Sequence, residues 1–288
     1  MNNSLHYRHS DLAVESLTKE PLPPRGVTVC QEHIGALEIT TVRILENSAA
    51  DSIGKPVGRY VTVSFPDFFE QDDSKTERSL SLSLAERLLA LLPSPSPRRV
   101  LVAGLGNRAI TADALGPFTQ EKLRINGHLE EKEAAHPSPR LFAFAPGVMG
   151  KTGMETLSLV RGAVKAASAD LLIVVDSLVA AETERLGRTV QLSDTGLIPG
   201  SGVGNHRAAL NRDSLGIPVI AIGVPLVVSS ATLVYDTLTR AGIDRFDGAV
   251  KEVLDRQESY FVTKKSCDLA CVELSKVIAN AINRVFSQ

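Results

Sequence analysis

The sequence lacks three features that mark common protein classes: a long apolar run, an excess of one charge and a set of paired cysteines. No stretch of about 18 consecutive apolar residues occurs, so no membrane-spanning helix is expected. The first 25 residues have no apolar core and are not a secretory signal. The net charge of −2 gives no bulk electrostatic signal for nucleic acid or for a membrane surface.

Cysteine is scarce, with Cys30, Cys267 and Cys271 as the three positions. An odd and sparse set predicts reduced thiols in a cytoplasmic protein rather than a disulfide framework. Cys267 and Cys271 are four residues apart and could share one helix face, but a metal site there needs further ligands and none is nearby in the sequence. We therefore predict neither a metal nor another cofactor.

The chain divides into an arm and one larger domain. Residues 1–25 are polar and end in a proline cluster, which predicts an extended arm. Residues 26–288 are expected to form a single α/β domain. Within it, the strand formers of residues 26–65 follow one another without an intervening helix, which predicts a small antiparallel β layer. Apolar residues at helical spacing predict amphipathic helices over Thr76–Leu92 and Cys267–Phe286.

The middle of the chain alternates between apolar strands and helices. Strands are predicted at Val100–Ala103, Arg140–Ala145, Leu171–Val175 and Ile217–Ile222, with a helix at Glu155–Ala167 between the second and the third. This alternation indicates an α/β fold whose central sheet is mostly parallel or mixed and is covered by helices on both faces.

Two aspartates follow strands of this sheet. Asp113 comes after the glycine turn that ends Val100–Ala103, at the start of a helix predicted over Asp113–Ile125, and Asp176 follows the apolar run LLIVV directly. The carboxyl ends of parallel strands lie at one edge of the sheet, so the loops that follow them should face one cavity. Two carboxyls in one cavity can share a proton, so that one acts as general base on water while the other polarises a carbonyl. Alternatively, Asp176 caps the turn that follows it.

Other motifs in these loops support competing chemistries less well. The turn GLGN is not a dinucleotide fingerprint, because Ala109 stands where the third glycine is required. Gly200–Asn205 could form an anion-binding nest but lacks the lysine and hydroxyl of a phosphate-binding loop. Ser201 and His206 match no known nucleophile arrangement. Asp194-Thr195-Gly196 matches the pepsin signature, but it occurs once and within an α/β pattern, whereas pepsin-like sites lie on all-β folds.

Long blocks of the sequence resemble the germination protease family, the endopeptidases that degrade small acid-soluble spore proteins. The blocks are collinear from Arg8 to about Asp236, which makes the resemblance specific. They are RHSDLAVES, GRYVTV, LVAGLGNRAITADALGP, APGVMGKTGMET, VVDSLVA, SDTGLIPGSGVGNHR and GIPVIAIGVPLVV.

The resemblance implies a fold similar to that of hydrogenase-maturation proteases and a catalytic pair, Asp113 and Asp176. It also implies a self-processing zymogen, cut between Asp11 and Leu12 to release the propeptide Met1–Asp11. The resemblance further implies a homotetramer that acts in the cytoplasm of the forespore or spore core. The composition predicts no direct contact to nucleic acid or membrane. Loop residues expected around the pair are Asn107, Gly147, Asp194, Asn205 and His206.

The sequence departs from the family in one region, and two other functions stay open. Only about 25 residues, Ala241–Lys265, precede the C-terminal helix, where the family carries a longer segment. One alternative is a metal-dependent maturation protease, in which the two acids and His206 would bind nickel or another divalent ion. The other is a non-catalytic α/β protein that holds a small ligand or anion.

Overall fold

The computed structural model describes residues 10–17, 23–69, 74–129, 139–201, 207–243, 248–257 and 260–287. The strands are β1 (Val27–Ile34), β2 (Leu37–Ile44), β3 (Gly58–Ser64), β4 (Arg99–Gly104), β5 (Arg140–Phe144), β6 (Leu171–Val179), β7 (Thr189–Ser193), β8 (Val219–Ser229) and β9 (Phe261–Val262). The α-helices are α1 (Asn47–Ile53), α2 (Ser74–Leu91), α3 (Leu115–Glu121), α4 (Met149–Thr152), α5 (Thr156–Ala167), α6 (Arg212–Leu215), α7 (Ser230–Arg240), α8 (Gly248–Gln257) and α9 (Cys267–Phe286). Short 3-10 helices occupy Ala13–Ser16, Thr111–Asp113 and Thr183–Arg185.

These nine strands form one mixed sheet in the order β1-β2-β3-β7-β8-β6-β4-β5, with β9 paired to β8. The pairs β5–β4, β4–β6 and β6–β8 are parallel, as the alternation of strands and helices predicts. The antiparallel pairs β1–β2 and β2–β3 form the predicted antiparallel layer, although helix α1 lies between β2 and β3, where no helix was predicted. Strand β7 pairs antiparallel with β3 on one side and with β8 on the other, so its hydrogen bonds merge the two regions into one sheet.

Helices cover both faces of the parallel region. Leu171 and Ile173 of β6 belong to a buried cluster that includes the inward faces of α2 and α9. The alternate residues Leu172 and Val174 pack with Val160 of α5 on the opposite face. Because successive strand residues point to opposite faces, the continuous apolar run of β6 buries both of its sides. Each such side chain contributes roughly 1.5–3 kcal/mol of burial free energy.

The C-terminal helix α9 has the predicted bounds, Cys267–Phe286. Its inward face holds Cys267 and Cys271, both buried and both free thiols. In the part of the chain that the structure describes, no helix is long and apolar enough to cross a membrane.

Strand β6 does not end before Asp176, where the prediction placed its end. It continues to Val179, because β8 runs beside it and pairs Asp176 with Gly223 and Val179 with Val227. Asp176 therefore lies within a regular strand of the sheet. The backbone around its carboxyl is fixed by hydrogen bonds to β8 rather than by a loop.

The helix predicted over residues 113–125 is shorter and begins later. Asp113 closes the 3-10 turn Thr111–Asp113, and α3 starts at Leu115 and ends at Glu121. The Asp113 amide donates to the carbonyl of Ile110 (2.8 Å), so this residue belongs to the turn and not to the helix.

The described part of the N-terminal arm, residues 10–17, packs against the domain. Leu12 and Ala13 are fully buried, and a short 3-10 helix begins at Ala13. Leu12 lies in a cluster with Leu178 and Val228 of the central sheet, and Ala13 in a second cluster with residues of the antiparallel strands. For this segment the prediction of an extended arm is wrong, because two apolar side chains anchor it.

Candidate active site

A cavity of about 650 Å³ opens at the carboxyl ends of the parallel strands. Its walls come from the turn after β4, the loop after β5, the second half of β6 and the segment after β7. Polar and glycine residues in these walls include Gly106, Asp113, Gly147, Asp176, Ser177, Ser193, Ser201 and Arg207. The described parts of the loops thus converge on one cavity, as strand direction predicts.

Asp176 reaches the cavity from one face of β6. It shares that face with Leu172 and Val174, since side chains two residues apart point the same way. Asp176 is only 7% exposed, and its Oδ1 accepts a hydrogen bond from the Ser177 amide (2.9 Å). Burial raises the pKa of the Asp176 carboxyl well above its ordinary value, and the charge of Asp113 raises it further. A protonated carboxyl in this position can donate a hydrogen bond to a carbonyl oxygen.

Asp113 reaches the same cavity from a turn. Its Oδ2 accepts a hydrogen bond from the Asn107 amide (2.8 Å). Gly106 has a φ of +109°, and a Cβ atom there would lie 2.0 Å from the Asp113 carbonyl oxygen. Burial raises the pKa of Asp113, while the Asn107 hydrogen bond and the charge of Arg207 oppose the rise. Asp113 therefore has the more polar environment of the two acids.

A close backbone contact fixes the two acids relative to each other. The Leu105 amide, at the end of β4, donates to the carbonyl of Val175, the residue before Asp176 (2.8 Å). Gly116, at the start of α3, sits on this contact: a Cβ atom there would lie 2.3 Å from Leu105 N and 2.5 Å from Val175 O. The helix that follows Asp113 can approach the two strands only because residue 116 has no side chain.

The arm enters the cavity at Asp11. Its amide donates to the carbonyl of Val179 (2.9 Å), and its Oδ2 accepts from the Val179 amide (2.8 Å). Its Oδ1 accepts from the Ser201 hydroxyl (2.8 Å). The charge of Asp11 also raises the pKa of Asp176, so the arm carboxylate lies close enough to interact with the buried acid.

Glu15 anchors the other end of the arm. Its side chain is fully buried, and its two carboxyl oxygens accept from the amides of Ala181 (2.8 Å) and Glu182 (2.9 Å). Arg185 Nε lies 3.4 Å from Oε1. Burial nevertheless raises the pKa of Glu15, against the effect of these hydrogen bonds and of a further one from Ser10. The pocket thus accepts a carboxyl group four residues after Asp11.

Between these two carboxylates, Gln191 of β7 contacts the arm backbone. Its Nε2 donates to the Asp11 carbonyl (3.1 Å), and its Oε1 accepts from the Ala13 amide (2.8 Å). Lys55 donates to the Ser10 carbonyl (2.8 Å). Burial lowers the pKa of Lys55, and the charges of Asp11 and Glu15 oppose that effect. Sequence reasoning missed both residues, although a glutamine within the strand TVQLS marks a polar position among apolar ones.

The remaining predicted loop residues take different places. Gly147 lines the cavity with a φ of +72°. Asn107 holds Asp113 through its backbone, while its side-chain oxygen accepts from Lys151 (3.0 Å). The Asp194 carboxylate binds Arg59, with Oδ2 2.7 Å from Nε, so it ties β3 to the end of β7.

Asn205 and His206 lie outside the described residues, and so does most of the glycine-rich loop between Ser201 and Arg207. Among the described residues, no three His, Cys, Asp or Glu side chains are grouped to hold a metal ion. The metal hypothesis depends on His206 and stays a prediction.

The comparison with solved structures gives the following match. The [NiFe] hydrogenase maturation protease HycI from Thermococcus kodakarensis KOD1 aligns with 68% of this chain and 99% of its own, at 17% identity and a TM-score of 0.38. A likeness at this level supports no argument about the site.

Sequence comparison gives a clear family assignment. The family model described as "Germination protease" matches residues 18–252. A germination protease of Caldanaerobacter subterraneus subsp. tengcongensis is 36% identical over 301 aligned positions, which cover 95% of this chain and 92% of the relative. One from Clostridium perfringens is 38% identical over 86% of this chain and 83% of its own length, and one from Priestia megaterium is 41% identical over 80% and 65%. The chain therefore belongs to the germination protease family.

Proposed function

We propose that this protein is an aspartic-type endopeptidase that uses Asp113 and Asp176 to activate water, and that it is made as a zymogen. Residues 1–25 form the arm in this proposal, with Met1–Asp11 as the propeptide, and residues 26–288 form the peptidase domain. The substrates are small acid-soluble spore proteins, the site of action is the cytoplasm of the forespore or spore core, and the enzyme is a homotetramer. These last three points rest on the family resemblance.

One observation carries the catalytic proposal: Asp113, Asp176 and the arm residue Asp11 line the same cavity. The bond proposed to be cut, Asp11–Leu12, thus begins at a residue held beside both candidate acids. The arm is also bound as a substrate segment would be, because its backbone pairs with β6 at Val179 and its apolar side chains are buried.

The two environments favour different roles for the acids. Asp176, the more deeply buried, keeps a proton and donates a hydrogen bond to the carbonyl oxygen of the bond to be cut. Asp113, whose charged form is favoured by the Asn107 amide and by Arg207, takes a proton from water as that water attacks the carbonyl carbon. Each acid acts through the protonation state that its surroundings stabilise.

The same contacts explain how an uncut chain would be kept from acting on other proteins. The arm fills the subsites for an acidic residue, a large apolar residue and a glutamate at once, with the carboxylates of Asp11 and Glu15 both held by backbone amides. A second protein chain must displace this segment before it can bind. Removal of Met1–Asp11 would leave the cavity open on one side of the cut.

The test is self-processing of the full chain, followed by intact mass and N-terminal sequencing. The wild type is expected to lose eleven residues and to begin at Leu12. Asp113→Asn and Asp176→Asn should each slow this cleavage by about 10² to 10⁴-fold, the usual contribution of a general acid or base. Asp268→Asn, an exposed aspartate at the start of α9, is the matched control and should process at the wild-type rate.

Full processing in either active-site variant would overturn the dyad. Loss of processing on addition of a chelator, restored by a divalent ion, would point to the metal-dependent alternative instead. The same variants assayed on a purified small acid-soluble spore protein would test the substrate class separately.

A further inference from the structure

Gln191 contacts the arm on both sides of the Asp11–Leu12 bond. The Asp11 carbonyl, on the N-terminal side, accepts from Gln191 Nε2 (3.1 Å), and the Ala13 amide, one residue beyond the bond, donates to Gln191 Oε1 (2.8 Å). These partners fix the orientation of the glutamine amide, because a carbonyl can only face its NH₂ group and an N–H can only face its oxygen. The side chain is 7% exposed, so neither contact competes with bulk water.

The sheet places Gln191 on the same face as Asp176. In the register of the sheet, Gly223 of β8 is the partner of Asp176 on one side and of Gln191 on the other. Partners in register point their side chains to the same face, so the acid and the amide flank a residue that has no side chain. With strands about 4.8 Å apart, the two Cα atoms lie roughly 10 Å from each other, and the Leu178 side chain packs over Gly223 between them.

We propose that Gln191 is the oxyanion donor of this protease and, through its second contact, holds the bond to be cut in register. This inference rests on the proposed cleavage between Asp11 and Leu12. The Asp11 carbonyl oxygen is the atom on which negative charge develops, and Gln191 Nε2 already donates to it. A fixed donor of this kind stabilises the transition state without reorganisation.

The step balances as ordinary hydrolysis. Water oxygen bonds to the Asp11 carbonyl carbon, its proton passes to the Asp113 carboxylate, and the carbonyl oxygen becomes an oxyanion held by Gln191 Nε2 and the Asp176 hydroxyl. Collapse of this intermediate breaks the bond between Asp11 C and Leu12 N. The proton then reaches the Leu12 nitrogen, which gives a free amine and a new carboxyl group on Asp11.

Two substitutions separate the hydrogen bond that Gln191 donates to the Asp11 carbonyl from the hydrogen bond that it accepts from the Ala13 amide. Gln191→Glu keeps the side-chain volume and the acceptor for the Ala13 amide but removes the donor to the Asp11 carbonyl. Gln191→Met keeps the length and removes both. Gln31→Glu, an exposed glutamine of β1, is the matched control for the added charge.

The readouts are the first-order rate of self-processing and the hydrogen exchange of the arm amides in the full chain. Gln191→Glu should slow processing by about 10² to 10³-fold, the effect of removing one oxyanion donor, while the Ala13 amide stays protected. Gln191→Met should slow processing at least as much and should also expose the Ala13 amide to faster exchange. Gln31→Glu should change neither readout.

Processing of Gln191→Glu at the wild-type rate would overturn the donor role. If this variant lost both the processing rate and the protection of the Ala13 amide, the donor role would also be overturned, because a merely structural role of Gln191 predicts that both are lost together. Failure of the proposed function looks different: the wild type itself would not be cut after Asp11. In that case hydrogen exchange still tests the contact between Gln191 and the arm. Retained protection of the Ala13 amide in Gln191→Met would show that Gln191 does not hold this amide.

Discussion

Asp113 and Asp176 line one cavity, yet the chain holds them in different ways. Asp176 is part of a continuous strand with hydrogen-bonded neighbours on both sides, and burial dominates its pKa. Asp113 belongs to a short turn whose shape depends on glycines, and an amide and an arginine charge oppose the effect of burial on its pKa. The sheet therefore supplies the more deeply desolvated acid, and the turn supplies an acid whose raised pKa is opposed by an amide and an arginine charge.

This difference teaches how one fold produces two roles from the same residue type. Burial in the strand raises the pKa of Asp176 well above its ordinary value, whereas the turn gives Asp113 an amide hydrogen bond and the charge of Arg207, which oppose the effect of burial. In the proposed mechanism, the roles of acid and base follow from these surroundings and not from the identity of the side chain.

The largest expected effect that separates the two acids is on stability as a function of pH. The folded-state pKa of Asp176 is raised, so the folded state binds its proton more tightly than the unfolded state, and the free energy of unfolding falls as pH rises above about 4. In that window the cost is about 1.4 kcal/mol for each pH unit, until the pH reaches the folded-state pKa. Asp176→Asn removes this cost, so its advantage over the wild type should grow as the pH rises from about 4 toward the folded-state pKa of Asp176.

Denaturant unfolding of the wild type, Asp176→Asn and Asp113→Asn at several pH values checks this prediction. Asp113→Asn should show a smaller gain with pH, because its raised pKa is opposed by Asn107 and Arg207. Equal pH dependence in the two variants would mean that the strand and the turn do not differ as described.

The sequence alone was enough to predict the buried strand that carries Asp176. The run LLIVVD predicts a buried strand with an acid at its end, and parallel strand direction places Asp176 and the turn of Asp113 at one edge. The end of β6 was misplaced because an isolated sequence does not reveal that β8 continues beside it to Val227.

The contacts of the N-terminal arm could not be predicted from the residues in the same way. The contacts of Asp11, Glu15 and Gln191 join positions more than 160 residues apart in the chain, and no local pattern encodes such pairs. Only the family resemblance marked Asp11 and Leu12, nothing in the sequence marked Lys55, and the polar position of Gln191 in its strand did not show what it contacts. Gln191 reaches the arm because of strand order, since its strand β7 lies next to β8 in the sheet.

A smaller effect is expected when the contact between strand and turn is disturbed. Gly116→Ala would put a Cβ atom within 2.3 Å of Leu105 backbone atoms, which cannot move without shifting β4. We expect the free energy of unfolding to fall by about 1–3 kcal/mol, as in other overpacked sites, and self-processing to slow because Asp113 moves.

Gly162→Ala is the matched control, since Gly162 lies in α5 with open space at its Cβ position. It should raise the free energy of unfolding by up to about 1 kcal/mol through helix propensity. Thermal unfolding and the processing rate of both variants give the measurement. A Gly116→Ala variant as stable and as active as the wild type would show that the turn of Asp113 does not depend on this close approach.

The smallest effect tests the electrostatic part of the comparison. The charge of Arg207 lowers the pKa of both acids, so Arg207→Gln should move both limbs of the pH profile of self-processing to higher pH. The acid limb reports Asp113, which must be ionised, and the alkaline limb reports Asp176, which must be protonated. Arg78→Gln, at an exposed position of α2, should leave the profile in place. If Arg207→Gln shifts only one limb, the arginine charge acts on one acid alone; a shift of the profile to lower pH would contradict the influence of this charge on the two carboxyls.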